Sequence, residues 1–163
     1  MTIIADATAL ILLSKVSILE TFVNRNNIIT SKIVYQEVVR GKEKGREDSI
    51  LVERLVQENK IKLKIPNESI KNNIEKLFNL KDGELEIVSL AYKTSHTILS
   101  DDKKCLNVAK ALGIGFITSL DVIIVQLKKK AITKKKALGC IDELEEYGWY
   151  SKNLIKYYKE AIK

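Results

Sequence analysis

Two adjacent acids, Asp101 and Asp102, stand within the stretch HTILSDDKK, directly after the run HTILS that is typical of a buried strand. Two like charges about 4 Å apart repel each other by roughly 4 kcal/mol when the effective dielectric constant is near 20. Grouped carboxylates therefore either raise their pKa values or bind cations. Because carboxylates are oxygen ligands, they favour Mg²⁺ or Mn²⁺ over Zn²⁺. The pair is a candidate for metal chemistry.

Three further acids are placed where they could join this pair. Asp6 ends the first apolar run, Glu37 lies in the helical pattern after the second, and Glu84 lies in the first turn of the helix before HTILS. In an open α/β sheet, ligands collect at the carboxyl ends of the strands. We therefore expect four or five carboxylates to face one crevice.

Each acid also has a purely structural use. Asp6 could cap the helix that begins near Thr8, and Asp101 or Asp102 could cap the helix KKCLNVAKAL. Glu84 could favour the positive end of its helix, as could Glu86 beside it, and Glu37 could pair with a lysine or arginine on the surface. The joint arrival of these acids at one edge of the sheet favours the functional interpretation.

The other metal-ligating residue types do not form a set. Cys105 and Cys140 are isolated, without a CxxC motif, and His96 is the single histidine. These residues lack the spacing that zinc sites require. We expect two reduced cysteines.

Alternating strand-like and helical patterns predict the elements that position the acids. The strand-like runs are TIIAD, NIIT, KIKLKI, HTILS and GFITS, and KIKLKI alternates like an exposed edge strand. Such alternation predicts an α/β fold with a mainly parallel sheet covered by helices. We expect one domain over residues 1–163, with a core of about 1–127 and a helical C-terminal extension of about 131–163.

Several residues are predicted to begin or end these helices. Ser31 and Asp82 are expected as N-terminal caps. Gly41 and Gly113 are expected to end helices.

The longest apolar runs fall far short of the roughly 20 residues that cross a bilayer. The start MTIIADATAL lacks a basic segment and includes Asp6, so it does not have the pattern of a signal peptide. We therefore expect a cytoplasmic protein without a membrane span.

The charge balance predicts a polyanionic partner. Lysine and arginine number 28 against 21 acids, and the excess is nearly all lysine. The clusters 128–130 and 134–136 are candidates for phosphate contact, although such runs are also typical of solvated helix faces. The aromatic residues near the C-terminus are expected to pack on the core or on a partner.

Several motifs together resemble the PIN domain. They are IIADAT, the Glu in VYQEVV, the turn DGELEIVSLA, and ILSDDKKCLNVAKALGI followed by GFITSL. The resemblance spans residues 1 to about 127 and is greatest to the branch with GE-x-E before its third strand region. It implies a compact three-layer α/β/α fold and a metal-dependent ribonuclease, as in the VapC-like toxins of toxin–antitoxin pairs.

The resemblance also implies roles for individual residues. It assigns the four family acids to Asp6, Glu37, Glu84 and Asp102, with Asp101 as a neighbour that could also bind metal. Direct ligation is expected of Asp6 and Glu84, with Asp102 completing the site, while Glu37 is an outer ligand or positions water.

Thr8 and Ser119 stand where the family has hydroxyl residues near the acids. The sequence departs from the toxin pattern at two positions. The third acid is Glu where most toxins have Asp, and the further acid that accompanies the last strand has no clear counterpart, although Asp121 could substitute.

The sequence thus predicts an Mg²⁺- or Mn²⁺-dependent endoribonuclease that binds RNA, with a cognate antitoxin and a homodimer implied by the resemblance. The alternative is a non-catalytic module of the same fold that binds nucleic acid or protein. A third class, a nucleotide-binding or receiver-like domain, is disfavoured because neither GxGxxG nor GxxxxGK[ST] occurs.

Overall fold

The computed structural model describes residues 2–40, 46–147 and 150–162. Over these residues, strands and helices alternate as the sequence predicts. The strands are β1 Thr2–Ala5, β2 Asn27–Ser31, β3 Ile61–Lys64, β4 Thr97–Leu99 and β5 Phe116–Ile117. The helices are α1 Ala7–Lys15, α2 Leu19–Val23, α3 Lys32–Val39, α4 Glu47–Gln57, α5 Glu68–Phe78, α6 Asp82–Ala91, α7 Lys103–Ala111, α8 Ser119–Lys128, α9 Lys134–Tyr147 and α10 Lys152–Ile162.

The five strands form one parallel sheet in the order β3-β2-β1-β4-β5. Helices flank the sheet, so the predicted three-layer α/β/α architecture is confirmed. β1 is the central strand, and its residues Ile3, Ile4 and Ala5 are almost fully buried. Such burial is typical of parallel strands covered on both faces. The predicted edge position of β3 is also confirmed.

The strand order brings the ends of β1 and β4 together at the middle of the sheet. Ala5 pairs with Leu99, and the N–H of Asp6 donates to the carbonyl of Leu99 at 3.0 Å. Asp6 and the acids after β4 therefore leave the sheet side by side. This is the edge at which open α/β sheets collect their ligands.

Side chains at the helix starts largely follow the sequence prediction. Ser31 caps α3 by accepting from the N–H of Val34, and α7 ends before Gly113, whose φ of +67° is left-handed. The prediction that Asp82 caps α6 is wrong. Lys81 occupies the capping position without a side-chain bond, and Asp82 is the first helical residue, with φ at +48°. The expected helix end at Gly41 lies outside the described residues.

The C-terminal extension packs as two helices beside α8. Cys140 and Leu144 of α9 are fully buried, and Ile155 of α10 is nearly so. Lys159 of α10 forms ion pairs with Asp142 and Glu145 of α9, at 2.7 and 2.9 Å. The extension thus shares the hydrophobic core with the rest of the domain.

Within the described ranges, no helix combines the length and the apolar character that crossing a membrane requires.

Candidate active site

Asp6 lies at the N-terminus of α1 with both carboxylate oxygens engaged. Its Oδ1 accepts from the N–H of Ala9 at 2.8 Å and from the hydroxyl of Thr8 at 2.9 Å, and its Oδ2 accepts from the hydroxyl of Ser100. Only 5% of Asp6 is exposed. Burial raises the pKa of Asp6 from 3.8 to about 7, with a smaller contribution from the charge of Asp101, although the three hydrogen bonds oppose the shift. Asp6 therefore caps α1, and keeping its carboxylate charged in this buried position costs free energy.

Asp102 caps α7 and is linked to Asp6 through a buried hydroxyl. Its Oδ1 accepts from the N–H of Cys105 at 2.8 Å, while its own N–H donates to Ser100 Oγ at 3.0 Å. Ser100 therefore bridges the two acids, since it donates to Asp6 and accepts from Asp102. The sequence interpretation did not single out Ser100, although its position between the strand and the two aspartates is a usable signal.

Asp101 points toward the start of α8. It accepts from the N–H and the hydroxyl of Ser119, at 3.0 and 2.5 Å, and from the hydroxyl of Tyr150 at 2.6 Å. Burial is the main cause of its raised pKa, which these donors partly offset. Asp121, two residues after Ser119, forms a capping box with Thr118 and accepts from Tyr158 at 2.5 Å.

Glu37 and Glu84 meet at the N-terminus of α6. Partial burial raises the pKa of Glu37, an effect that the backbone N–H of Gly83 opposes by bonding to the carboxylate. Burial and then the charge of Asp102 raise the pKa of Glu84, with Glu37 adding to the effect. Lys104 lies 3.8 Å from Glu84 and partly balances it. The charges of Asp102 and Glu37 thus both act on Glu84.

The buried thiol of Cys105 reports how far the acids converge. Burial raises its pKa to about 12, and the charges of Asp6, Asp102 and Glu84 all contribute. The acid after β1, the acid that caps α7 and the acid of α6 thus all lie near this one buried thiol. The fold therefore brings the predicted acids to one edge of the sheet, as two adjoining groups: Asp6 with Asp101, and Glu84 with Glu37 and Asp102.

A further acid, Glu86, is buried beside this site. It is 7% exposed, its Oε1 lies 3.9 Å from Lys71, and its Oε2 has no hydrogen-bond partner among the described residues. Its charge also contributes to the raised pKa of Glu37. The sequence interpretation treated Glu86 as a helix-terminus acid. Because α6 is buried on most of its sides, helical periodicity could not indicate that this position is inside.

The donor set fits a hard divalent cation. The converging groups are carboxylate and hydroxyl oxygens, the only thiol among them is held protonated, and His96 lies at the other end of β4. In the described part of the chain, however, no three acid, cysteine or histidine side chains already lie close enough to hold a metal ion. An ion would therefore have to draw the partly exposed Glu84 and the neighbouring acids closer together.

The lysine clusters lie far from these acids. Helix α8 begins at Ser119 beside Asp101 and ends at Lys128, a distance of about 14 Å along its axis. Residues 128–130 and 134–136 follow that far end. Lys103 and Lys104, by contrast, begin α7 next to Asp102, and both are exposed. The structure thus favours Lys103 and Lys104, rather than the two lysine clusters, as cations near the site.

Gly83 allows Glu37 to approach the N-terminus of α6, which gives a first prediction. A Cβ at position 83 would lie 2.8 Å from Val34 Cγ2 and 2.9 Å from Glu37 Oε2. Because Val34 is buried, Gly83→Ala should displace Glu37 and lower the free energy of unfolding by about 1–3 kcal/mol. Chemical denaturation measures this loss, and Gly139→Ala is the control, since a Cβ there meets no atom within 4 Å. Equal stability of the two variants would contradict the close fit.

Two comparisons with known proteins found matches to this chain. A family model described as a PIN domain matches residues 2–163. A stretch of 82 residues is 35% identical to the protein named Endoribonuclease Nob1 of Pyrococcus abyssi. That alignment covers 46% of this chain and 51% of the relative, so the chain spans about half the length of this curated protein.

Proposed function

This chain belongs to the PIN-domain family, and from that premise we propose that it is an endoribonuclease that depends on Mg²⁺ or Mn²⁺. The observation that supports this proposal is the convergence of Asp6, Glu84 and Asp102 around the carboxyl ends of β1 and β4. The name of the relative, an endoribonuclease, supports RNA as the substrate. A net charge of +7 suits a polyanionic substrate.

In this proposal the acids hold the ion and position water. Asp6, Glu84 and Asp102 would bind it, with Asp101 or Glu86 close behind, and Glu37 would orient the attacking water. A divalent ion bound there supplies Lewis-acid activation of water and neutralises charge on the phosphate oxygens. Thr8 and Ser100 keep the Asp6 carboxylate fixed through their hydroxyls. The buried edge of the sheet limits side-chain movement, so the geometry is preorganised on the Asp6 side.

Cleavage of a labelled mixed RNA pool tests this function. The wild-type protein should cut RNA with Mg²⁺ or Mn²⁺ and should not cut it with EDTA. A DNA pool of matching sequence tests the choice of RNA. Cutting that persists in EDTA would contradict the metal dependence, and cutting of DNA alone would contradict the substrate.

A second candidate is a non-catalytic binding module, which the capping roles of Asp6 and Asp102 and the absence of a preformed ligand trio in the described ranges favour. Calorimetry distinguishes the two proposals, since the binding module should bind no Mg²⁺ at millimolar concentration.

The family resemblance extends the nuclease proposal to a toxin with a cognate antitoxin and to a homodimer. Growth assays test the toxin and its antitoxin, and light scattering tests the homodimer.

RNA binding should depend on the lysines nearest the acids. In an Asp6→Asn background, which prevents cutting, removal of Lys103 and Lys104 should flatten the plot of log K against log salt by about 1.4 for two phosphate contacts to a single strand. The variant that replaces residues 134–136 by Ala is the control and should keep the slope. A larger change of slope in the control than in the Lys103 and Lys104 variant would indicate that RNA binds at the far end of α8 instead.

A further inference from the structure

The side chain of Asp101 is more fully occupied by protein donors than that of Asp102. Tyr150 and the N–H of Ser119 bond to its Oδ1, and the hydroxyl of Ser119 bonds to its Oδ2. Asp102 uses Oδ1 to cap α7. No hydrogen bond to its Oδ2 is found among the described residues. Because the donors to Asp101 come from Ser119 and Tyr150 on the side of α8, whereas the charge of Asp102 acts on Glu84, Asp101 has the character of an anchor and Asp102 that of a ligand.

The anchored carboxylate lies in the middle of the turn that holds the site together. Ser100, on one side of Asp101, donates to Asp6, and Asp102, on the other side, donates to Ser100. The turn 100–102 therefore contacts Asp6 and carries Asp102, which belong to the two different groups of acids. A group that fixes Asp101 fixes the direction in which Asp102 leaves this turn.

Tyr150 provides that group from the C-terminal extension. Its hydroxyl reaches Asp101 Oδ1 at 2.6 Å across 49 positions of the chain. The same extension sends Tyr158 to Asp121 Oδ1 at 2.5 Å, but Asp121 belongs to the capping box of α8 and not to the turn 100–102. Both tyrosine hydroxyls donate to an aspartate, but only Tyr150 donates to an aspartate of the turn 100–102.

We propose that Tyr150 is a positioning residue of the active site: together with Ser119 it anchors Asp101, so that Asp102 and not Asp101 ligates the divalent ion. This inference rests on the proposed function. It gives the C-terminal extension a role in orienting the metal ligands, in addition to its packing on the core.

The first test compares Tyr150→Phe with Tyr158→Phe, which removes a matching hydroxyl. Tyr150→Phe should lower kcat or Mn²⁺ affinity by about ten-fold, as the loss of an outer-shell partner does, while KM for RNA stays close to wild type. Tyr158→Phe should leave kcat and Mn²⁺ affinity within about two-fold, because its partner Asp121 bonds to Thr118 within the capping box of α8. Equal effects of the two variants, or a change in Tm alone for Tyr150→Phe, would overturn the positioning role.

The second test separates anchor from ligand by calorimetric titration with Mn²⁺. Asp102→Asn keeps a capping side chain and should abolish Mn²⁺ binding, whereas Asp101→Asn should weaken it by about ten-fold. The reverse order would overturn the assignment. A backbone amide spectrum of the metal-free protein adds a readout independent of activity, since Tyr150→Phe should shift the Asp102 signal and Tyr158→Phe should not.

These outcomes also distinguish failure of this inference from failure of the function. A wild-type protein that neither binds Mn²⁺ nor cuts RNA would remove the proposed function and the assignment of Asp102 with it. A wild-type protein that does both, with Tyr150→Phe unchanged in kcat, Mn²⁺ affinity and the Asp102 signal, would overturn only the role of Tyr150.

Discussion

Replacing Asp6 by asparagine is expected to abolish metal-dependent RNA cleavage while leaving the fold intact. Loss of a metal ligand removes several kcal/mol of transition-state stabilisation, which corresponds to a rate lower by about three orders of magnitude or more. Asparagine is nearly isosteric, and its Oδ1 can still accept from Ala9 and Thr8, as the aspartate does. Capping of α1 should therefore survive.

Single-turnover cleavage rates, measured beside circular dichroism spectra, check this prediction. Glu146→Gln is a suitable control, because that acid is exposed on α9 and is not one of the converging acids. Equal rates for the wild type and Asp6→Asn would point to a contaminant or to a different catalytic centre.

The second large effect concerns stability and pH in the metal-free protein. The pKa of Asp6 is 3.8 before folding and about 7 in the folded chain, because burial disfavours the charged form. The folded state therefore holds this proton more tightly than the unfolded state does. The contribution of Asp6 to stability is fully present below pH 3.8 and is lost as the pH rises to about 7. Each pKa unit corresponds to 1.36 kcal/mol, so the loss reaches about 4 kcal/mol.

The other acids of the site act in the same direction. Burial raises the pKa values of Asp101, Glu37 and Glu84 as well, so their protonation also favours the folded state. Urea unfolding in EDTA between pH 4 and pH 8 measures the combined loss. Asp6→Asn should flatten the curve and be the more stable protein at pH 8, and Mg²⁺ should restore stability to the wild type alone. A wild-type stability that rises from pH 4 to pH 8 would contradict the shared burial of these acids.

The order of elements could be predicted because each has a clear local period. Apolar runs such as TIIA and NIIT are too short for buried helices, and the helical patterns between them force parallel connections. The placement of Asp6 and Asp102 followed, since both come directly after such runs. The structure also shows that capping and convergence are compatible, because each carboxylate caps a helix through one oxygen while the helix start faces the site.

The contacts that could not be predicted join residues far apart in sequence. Tyr150 meets Asp101 only because α9 folds back beside α8, and no local pattern in the aromatic C-terminal segment indicates that partner. Tyr150 and Tyr158 of this segment are partly buried against the core, as predicted, whereas Tyr147 and Tyr157 are exposed. Trp149 lies outside the described residues. Asp82 was assigned as a cap by residue type alone, whereas the helix begins at Asp82 itself and Lys81 occupies the capping position.

The roles of the acids as ligands, by contrast, depend on side-chain rearrangement that neither periodicity nor spacing specifies. Glu84 is about one-third exposed and paired with Lys104, so its carboxylate can turn toward Asp102. Asp6 is fixed by three donors and can contribute only where it stands. The site we propose is therefore rigid on the β1 side and adjustable on the α6 side.

The most direct test of this account is a calorimetric titration of Mn²⁺ into the wild type, Asp6→Asn and Glu84→Gln at pH 7.5. The account predicts a saturable binding event in the wild type that is lost in Asp6→Asn and strongly weakened in Glu84→Gln. Equal binding by all three proteins would contradict the claim that these converging acids form the metal site.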